Sequence, residues 1–488
     1  MSSQATNLNL TNKSIVLDSA IQELLAVRGL ENPSEEIRIT GADPFYKTPL
    51  RVGESVAAAL AMVGIAANDL WELRKGKRQR LSVDVGHAAA TLRTVDYSRK
   101  QNSDGQYVPV PQSDSMLKML TMTQPWPTQD GKWFLPHLNL PELSRRVLDV
   151  LRCEHTVEGV SSSVARWNGE KLEQAIADAR ACGGLIRTPE EWLAHPQGQY
   201  LSALPVIEIR KVKEGLPQPF THATRPLEGV RTLDLTRILA GPIAGRTLAE
   251  HGSDVLMVTA PHLPQVAEHV RDTSHGKRSC FLDFEVPDQV AIFRDLLSSA
   301  DVVIDGYRPG ALNRKGLGRE QLFDLRPGLI HLSVSCFGSG GPFKDRAGWE
   351  QVAQAVTGIC HLHGEATGSG QPKLVFAPMC DYLTGYMGAI GVMLALARRA
   401  KEGGSYAVNV SLCQSAMFIQ RRGLLDAFNA APDGLTPSEI EKLCIKTETP
   451  HYGKMQTLGP VLRMSETAPK WARPSPCLGK DEPAWASI

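Results

Sequence analysis

One carboxylate, Asp381, stands in Ala377-Pro-Met-Cys-Asp-Tyr-Leu-Thr-Gly, at the mouth of a long run of small and apolar residues that carries no further charge until Arg398. An acid there suits two kinds of chemistry. As a helix cap it accepts hydrogen bonds from the first free N–H groups and complements the positive end of the helix. As a nucleophile or base it is held by those same groups, and an exposed aspartate with a pKa near ~3.9 is ionised at neutral pH without a second base. Cys380, beside it, is a thiol nucleophile by type, but no separate helix start points at it and a buried, inert thiol is expected. His361-Leu-His363-Gly-Glu365 carries metal-ligand side chains without a further spaced ligand, so a surface loop and no metal site are expected. Arg308 and Arg314 follow Asp301-Val-Val-Ile-Asp-Gly, just past a strand end, where a guanidinium can meet phosphate. The turn Ala240-Gly-Pro-Ile-Ala-Gly is not Gly-x-Gly-x-x-Gly and no P-loop occurs, so a dinucleotide fingerprint is not supported.

Asp381 needs elements to position it, and the second half of the chain supplies them. From Pro226 onward, short apolar segments alternate with helical ones: strands at 230–235, 253–258, 279–284, 301–306 and 329–335, with helices at 240–250 and 287–300. Buried strands alternating with helices imply an α/β fold with a doubly wound, mostly parallel, Rossmann-like sheet. Ligands in such sheets sit outside the carboxyl ends of the strands, here the glycine-containing loops 236–242, 306–314 and 336–342, where glycine lets the backbone approach a ligand. The preceding block, 112–205, has helices at 141–152 and 170–181, the latter with Gly183-Gly184 as its expected stop, and a helix opened by Thr188 and Pro189. It is expected to form a smaller α+β domain, followed by a strand from 204 to 212. The expected division is 1–111, 112–205, a linker at 206–225, a large domain at 226–430 and a return segment at 431–488.

Residues 56–93 and 387–421 share a helix, basic turn, strand, helix plan. This registration needs a gap and sets Pro49 opposite Asp381, so the first copy is expected to lack the acid. With 488 residues, several domains are expected. A net charge of +1 gives no argument for nucleic acid or an acidic membrane surface. Nine scattered cysteines suggest neither a disulfide framework nor a zinc ribbon. Residues 1–7 lack the basic and apolar regions of a leader, and the run at 377–397 is broken by polar residues and glycines, so a buried helix and a cytoplasmic location are expected.

Five motifs, Leu233-Asp-Leu-Thr-Arg-Ile-Leu-Ala-Gly-Pro, His275-Gly-Lys-Arg-Ser-Cys-Phe-Leu-Asp-Phe, Ala300-Asp-Val-Val-Ile-Asp-Gly-Tyr-Arg-Pro-Gly, Ser335-Cys-Phe-Gly-Ser-Gly-Gly-Pro-Phe and Asp381-Tyr-Leu-Thr-Gly, resemble the class III CoA-transferases. These include the formyl-CoA and carnitine CoA-transferases, with the α-methylacyl-CoA racemases as relatives. The resemblance covers 226–421. It implies that Asp381 is the nucleophile and that Ile238, Leu239, Leu282, Gly306, Tyr307 and Arg314 contact coenzyme A, a co-substrate rather than a tightly bound cofactor. Asp130-Gly-Lys-Trp and Thr188-Pro-Glu-Glu-Trp resemble the family's small domain, which normally follows the catalytic segment. Gly459-Pro-Val-Leu and Arg473-Pro-Ser-Pro-Cys-Leu-Gly resemble its closing segment. The order implies a fused, partly deleted tandem in which residues 112–205 must pack near Asp381. Departures are Ala260 and Glu285 at positions often basic in the family, and Leu239 where formyl-CoA transferases carry Gln.

The resemblance implies transfer of coenzyme A from an acyl-CoA to a small carboxylic acid through aspartyl anhydride and aspartyl-CoA thioester intermediates, with a homodimer as the family's usual assembly. A racemase needs paired acid/base groups, in the relatives a His-Asp pair after a glycine. Here Gly348 is followed by Trp349-Glu350, and Trp moves no proton. A non-catalytic CoA-binding protein is the other alternative, against which Asp381 itself argues.

Overall fold

The computed structural model describes residues 15–30, 37–308, 310–432 and 434–486; the expectation about residues 1–7 lies outside them. Six strands, Arg231–Asp234, Asp254–Thr259, Arg278–Phe281, Val302–Asp305, Ile330–Ser335 and Ser405–Ser411, run parallel in the spatial order third, second, first, fourth, fifth, sixth. Glu208–Lys213, inside the segment expected to be a linker, closes the edge antiparallel to Ser405–Ser411. Helices cover both faces, which is why Val302, Val303 and Ile304 are all fully buried rather than alternating. The order reverses between the first and fourth strands, so their following loops part and leave a crevice.

Met379–Glu402 is one unbroken helix that lies against Ala240–Glu250 and Val52–Lys75. Its small residues allow this approach: a Cβ at Gly385 would stand 2.6 Å from Ile243 Cβ and 2.7 Å from the Ala240 carbonyl oxygen. Val52–Lys75 achieves the same with alanines, Ala57, Ala58, Ala59, Ala61, Ala66 and Ala67 being fully buried. Both helices are long and apolar enough to cross a membrane, and both are mostly buried within the protein.

The first half repeats part of this plan. Ile37–Thr40 and Leu81–Asp84 pair in parallel across the helix Val52–Lys75, as Ile330–Ser335 and Ser405–Ser411 do across Met379–Glu402. Each small set is closed by an antiparallel strand from elsewhere in the chain, Arg463–Met464 on Leu81–Asp84 and Glu208–Lys213 on Ser405–Ser411. Asp84 and Ser411 cap the next helices by accepting from the His87 and Gln414 N–H groups. Counted back from these caps, Asp381 corresponds to Glu54, the third residue of its helix, and no gap is needed. The expected match to Pro49 is therefore corrected by five residues, to Glu54, and the first half does carry an acid.

Between the halves, strands Trp126–Pro127, Trp133–Pro136 and Gly183–Leu185 pack with helices Pro141–Leu151, Val157–Val164 and Gly169–Asp178 around Phe134, Val147, Val160 and Leu172. Thr188 opens Pro189–Ala194 with a complete capping box, as its sequence implies. Gly183 and Gly184 do not end the preceding helix; it ends at Asp178, and Arg180 takes the left-handed conformation. Residues 95–130 hold strands Arg99–Gln101 and Tyr107–Pro109, which join Gly453–Leu458 and Cys444–Thr449 in a four-stranded antiparallel sheet.

Candidate active site

The crevice at the switch point is a cavity of about 530 Å³ with Asp381 in its wall. Its large-domain side comes from three strand ends: Leu235 to Gly241, Gly306 to Arg308, and Val334 to Cys336. Leu140, Glu142, Leu143, Arg146 and Arg180 of the small domain close the other side, so 112–205 packs beside Asp381. Three of the four non-glycine residues with positive φ among the described residues line this cavity: Leu140 (56°), Arg180 (51°) and Ile238 (78°). Each costs about 1–2 kcal/mol, a strain that characteristically gathers where a site dictates backbone shape.

The 236–241 turn is anchored from below. Asp234, at the end of the first strand, accepts from the Thr236 N–H at 3.0 Å and from Lys277 Nζ at 2.7 Å, and Lys277 also donates to the Pro242 carbonyl at 2.7 Å. Both charged side chains are fully buried. The Leu-Asp-Leu-Thr-Arg and His-Gly-Lys-Arg motifs thus meet in one ion pair that fixes the helix start at Ala240. That start opens into the cavity, and no side chain caps it.

Asp381 is neither exposed nor the N-cap. Pro378 is the cap residue, Asp381 is the third residue of the helix, and only 7% of its surface is exposed. Its N–H donates to Glu350 Oε2 at 2.7 Å, while Gln354 Nε2 donates to Glu350 Oε1 at 2.8 Å. Burial first, and the Glu350 carboxylate second, push the Asp381 carboxyl well above the usual aspartate range. Burial also raises Glu350, against donors from Gln354, Asp381 and Cys380 that favour its charged form. Two adjoining buried carboxylates cannot both ionise cheaply and share a proton. Glu350 receives the donors that favour its charge, which leaves the neutral form favoured on Asp381. The expectation of an aspartate ionised without assistance is corrected accordingly.

Basic side chains ring the cavity: Arg146 and Arg180 from the small domain, Arg237 and Arg308 from the strand-end loops, and Lys344 and Arg346. Arg308 donates to the Arg180 carbonyl at 2.9 Å, tying one loop to the small domain. Burial lowers Arg237, Arg308 and Arg346, a cost that a bound anion would relieve.

Of the expected contacts, Ile238, Leu239, Gly306 and Tyr307 line the cavity with Asp381. Leu282 and Arg314 do not. Leu282 is packed into the sheet core with Leu256 and Phe293, and Arg314 lies exposed on a short 3-10 turn beyond the loop. The loop at 336–342 is a second departure. A Cβ at Gly340 would meet the Tyr200 hydroxyl at 2.5 Å, and Gln197 Nε2 donates to the Phe337 and Gly340 carbonyls at 2.7 and 3.0 Å. Those glycines admit the small domain, not a ligand. His361 and His363 lie in the helix Ile359–Ala366 instead of a loop, and no group of three or more metal-ligating side chains occurs among the described residues. Cys380 is fully buried, as expected, and burial and Glu350 push its thiol well up. Sequence reasoning missed Glu350, whose signal was its place after Gly348-Trp349. It also missed Arg146 and Arg180, which only domain docking brings to the site.

Residues 227–442 match the CoA-transferase family III model. The chain is 30% identical over 404 residues to an acyl-CoA transferase of Gibberella moniliformis, covering 76% of this chain and 70% of the relative. It is 29% identical over 402 residues to the acetyl-coenzyme A transferase nodX of Hypoxylon pulicicidum, covering 74% and 68%. It is also similar to the human succinyl-CoA:glutarate CoA-transferase, 32% identical over 213 residues, covering 41% and 48%.

Proposed function

The chain belongs to CoA-transferase family III and is a CoA-transferase using CoA thioesters, and from this we propose that it moves coenzyme A from an acyl-CoA to a small carboxylic acid with Asp381 as the covalent carrier. The observation that carries this reading is Asp381 in the wall of a cation-lined cavity at the sheet's switch point. In its ionised form Asp381 attacks the thioester carbonyl, forming a mixed anhydride and releasing the CoA thiolate. The thiolate attacks the aspartyl carbonyl, expels the donor acid and leaves an aspartyl-CoA thioester. The acceptor carboxylate attacks that thioester, and a second return of the thiolate delivers the new acyl-CoA and frees Asp381. Splitting one exchange into steps of similar free energy is the gain from covalent catalysis.

Each tetrahedral oxyanion needs N–H donors, and the uncapped start of Ala240–Glu250 faces the same cavity. Arg146, Arg180, Arg237 and Arg308 are the groups suited to the coenzyme's phosphates, taking over from the positions now occupied by Ala260 and Glu285. Glu350 sets when Asp381 can react, since the reactive form is the one in which the pair's shared proton has left Asp381. The fused, partly deleted tandem is part of this proposal, supported by the matched helix and strand positions of the two halves. Incubation with acyl-CoA followed by hydroxylamine and peptide mass mapping tests the mechanism. Modification at Asp381, abolished in Asp381→Asn, is expected; turnover without any Asp381 adduct refutes the carrier role.

A further inference from the structure

Cys336 and Cys413 leave the ends of two neighbouring strands on the side where Asp381 lies. Ile330–Ser335 and Ser405–Ser411 pair in parallel as far as Ser335 opposite Ser411, and just beyond, the Cys413 N–H donates to the Cys336 carbonyl at 3.0 Å. Backbones so paired bring Cα atoms within the range a disulfide spans. Cys336 lines the cavity together with Asp381, and its sulfur packs on Gly348, where a Cβ would approach to 2.3 Å. Cys413 is fully buried behind it and is not part of the cavity wall. Cys336 thus borders the cavity, whereas Cys413 does not.

We propose that Cys336 and Cys413 are an attacking and resolving thiol pair for the disulfide form of coenzyme A. This rests on the reading of the cavity as the CoA site, because a thioester carbonyl at Asp381 brings the coenzyme's sulfur to the same wall. The Cys336 thiolate attacks one sulfur of CoA disulfide, forming a Cys336–CoA mixed disulfide and releasing one CoA thiolate, which takes up the proton Cys336 lost. The Cys413 thiolate then attacks Cys336 Sγ, forming the Cys336–Cys413 bridge and releasing the second CoA thiol. Two protein thiols are oxidised to one disulfide, and one CoA disulfide is reduced to two CoA thiols. Burial, with Asp381 and Glu350 nearby, holds Cys336 as a neutral thiol, which makes it slow toward freely diffusing disulfides. A disulfide held in the cavity gains effective concentration. The bridge would draw the Cys336 sulfur away from Gly348 and fix the strand ends beside Asp381, so it is expected to suppress transfer until reduced.

The test treats the reduced full chain with CoA disulfide or glutathione disulfide at equal concentration, followed by peptide mapping without reduction. A Cys336–Cys413 bridge is expected, forming at least ~10-fold faster with CoA disulfide, the preference that proximity confers. Cys413→Ser should stop at the Cys336–CoA adduct, and Cys336→Ser should give neither product. Equal rates with the two disulfides, or a bridge from Cys336 to Cys182, overturns the proposal. Calorimetry with reduced CoA on the same protein separates the two levels. CoA bound without any Cys336 product refutes the thiol pair alone, whereas no CoA binding refutes the reading of the cavity as well.

Discussion

Replacing Glu350 by Gln tests the electrostatic account of Asp381 most directly. Glu350 Oε2 lies 2.7 Å from the Asp381 backbone nitrogen, which brings the two carboxylates within one side-chain length. Unit charges about 5 Å apart interact by roughly 3 kcal/mol at an effective dielectric near 20, or about 2 pK units. Burial is the larger cause of the Asp381 shift and survives the substitution. The sign follows from the nucleophile's charge: transfer requires ionised Asp381, so activity falls as pH drops through its raised pKa. Glu350→Gln removes the repelling charge, and the acid limb of kcat/KM should move down by about 1–2 pH units while staying above the ordinary aspartate range. The glutamine carbonyl still accepts the Asp381 N–H, so the plateau should be largely kept. The assay is CoA-ester chromatography from pH 4 to 9, with folding followed across the same range. An unmoved acid limb, or one that moves upward, refutes the shared-proton account.

The other expectations are shorter. Asp381→Asn should lower turnover by roughly 10³-fold or more, as loss of a covalent nucleophile does, with an unchanged melting temperature, measured by single-turnover kinetics and thermal denaturation. Lys277→Met strands the buried Asp234 carboxylate and should cost about 3–5 kcal/mol in denaturant titrations, much of it recovered by adding Asp234→Leu. Arg308→Ala should weaken CoA binding by about 1.5–3 kcal/mol in calorimetry, the worth of a charge-assisted hydrogen bond. Gly385→Val places carbon against Ile243 and the Ala240 carbonyl and should destabilise the fold by about 1–3 kcal/mol, with a rise in KM as the 236–241 turn shifts.

Strand positions were legible because a sheet covered on both faces writes itself as uninterrupted apolar segments such as Val302-Val303-Ile304. The Asp234 and Lys277 motifs were legible as local strings, but the ion pair joining them requires the sheet's spatial order, which period and composition do not encode. The burial of Asp381 was not legible either. A carboxylate at a helix start looks like a cap until Glu350, 31 residues earlier, is brought against its amide. The repeat was registered five residues off because runs such as Ala57-Ala-Ala offer no bulky residue to distinguish neighbouring turns. The glycines at 338–341 gave the opposite lesson. Their demand for close approach was correctly inferred, while the partner was the helix Pro196–Ser202, an identity that only domain docking determines.

The correspondence of Glu54 with Asp381 raises the question of a second centre. Glu54 is buried at the third position of its helix, and its N–H donates to Asp43 Oδ2 at 2.9 Å, as the Asp381 N–H donates to Glu350. Burial lifts Asp43 to about 6, much as it lifts Glu350. An acid at a helix start with a carboxylate on its amide is thus present twice, and by itself it does not make a site. Asp381 also faces loops from the first and fourth strands of a six-stranded parallel set. The three-stranded sheet beside Glu54 has no counterparts of those strands among the described residues, and Arg51 pairs with the Glu54 carboxylate at 3.2 Å. In the proposed mechanism, what distinguishes Asp381 from Glu54 is therefore the switch-point loops and the docked small domain, with the acid pair as the proposed proton control.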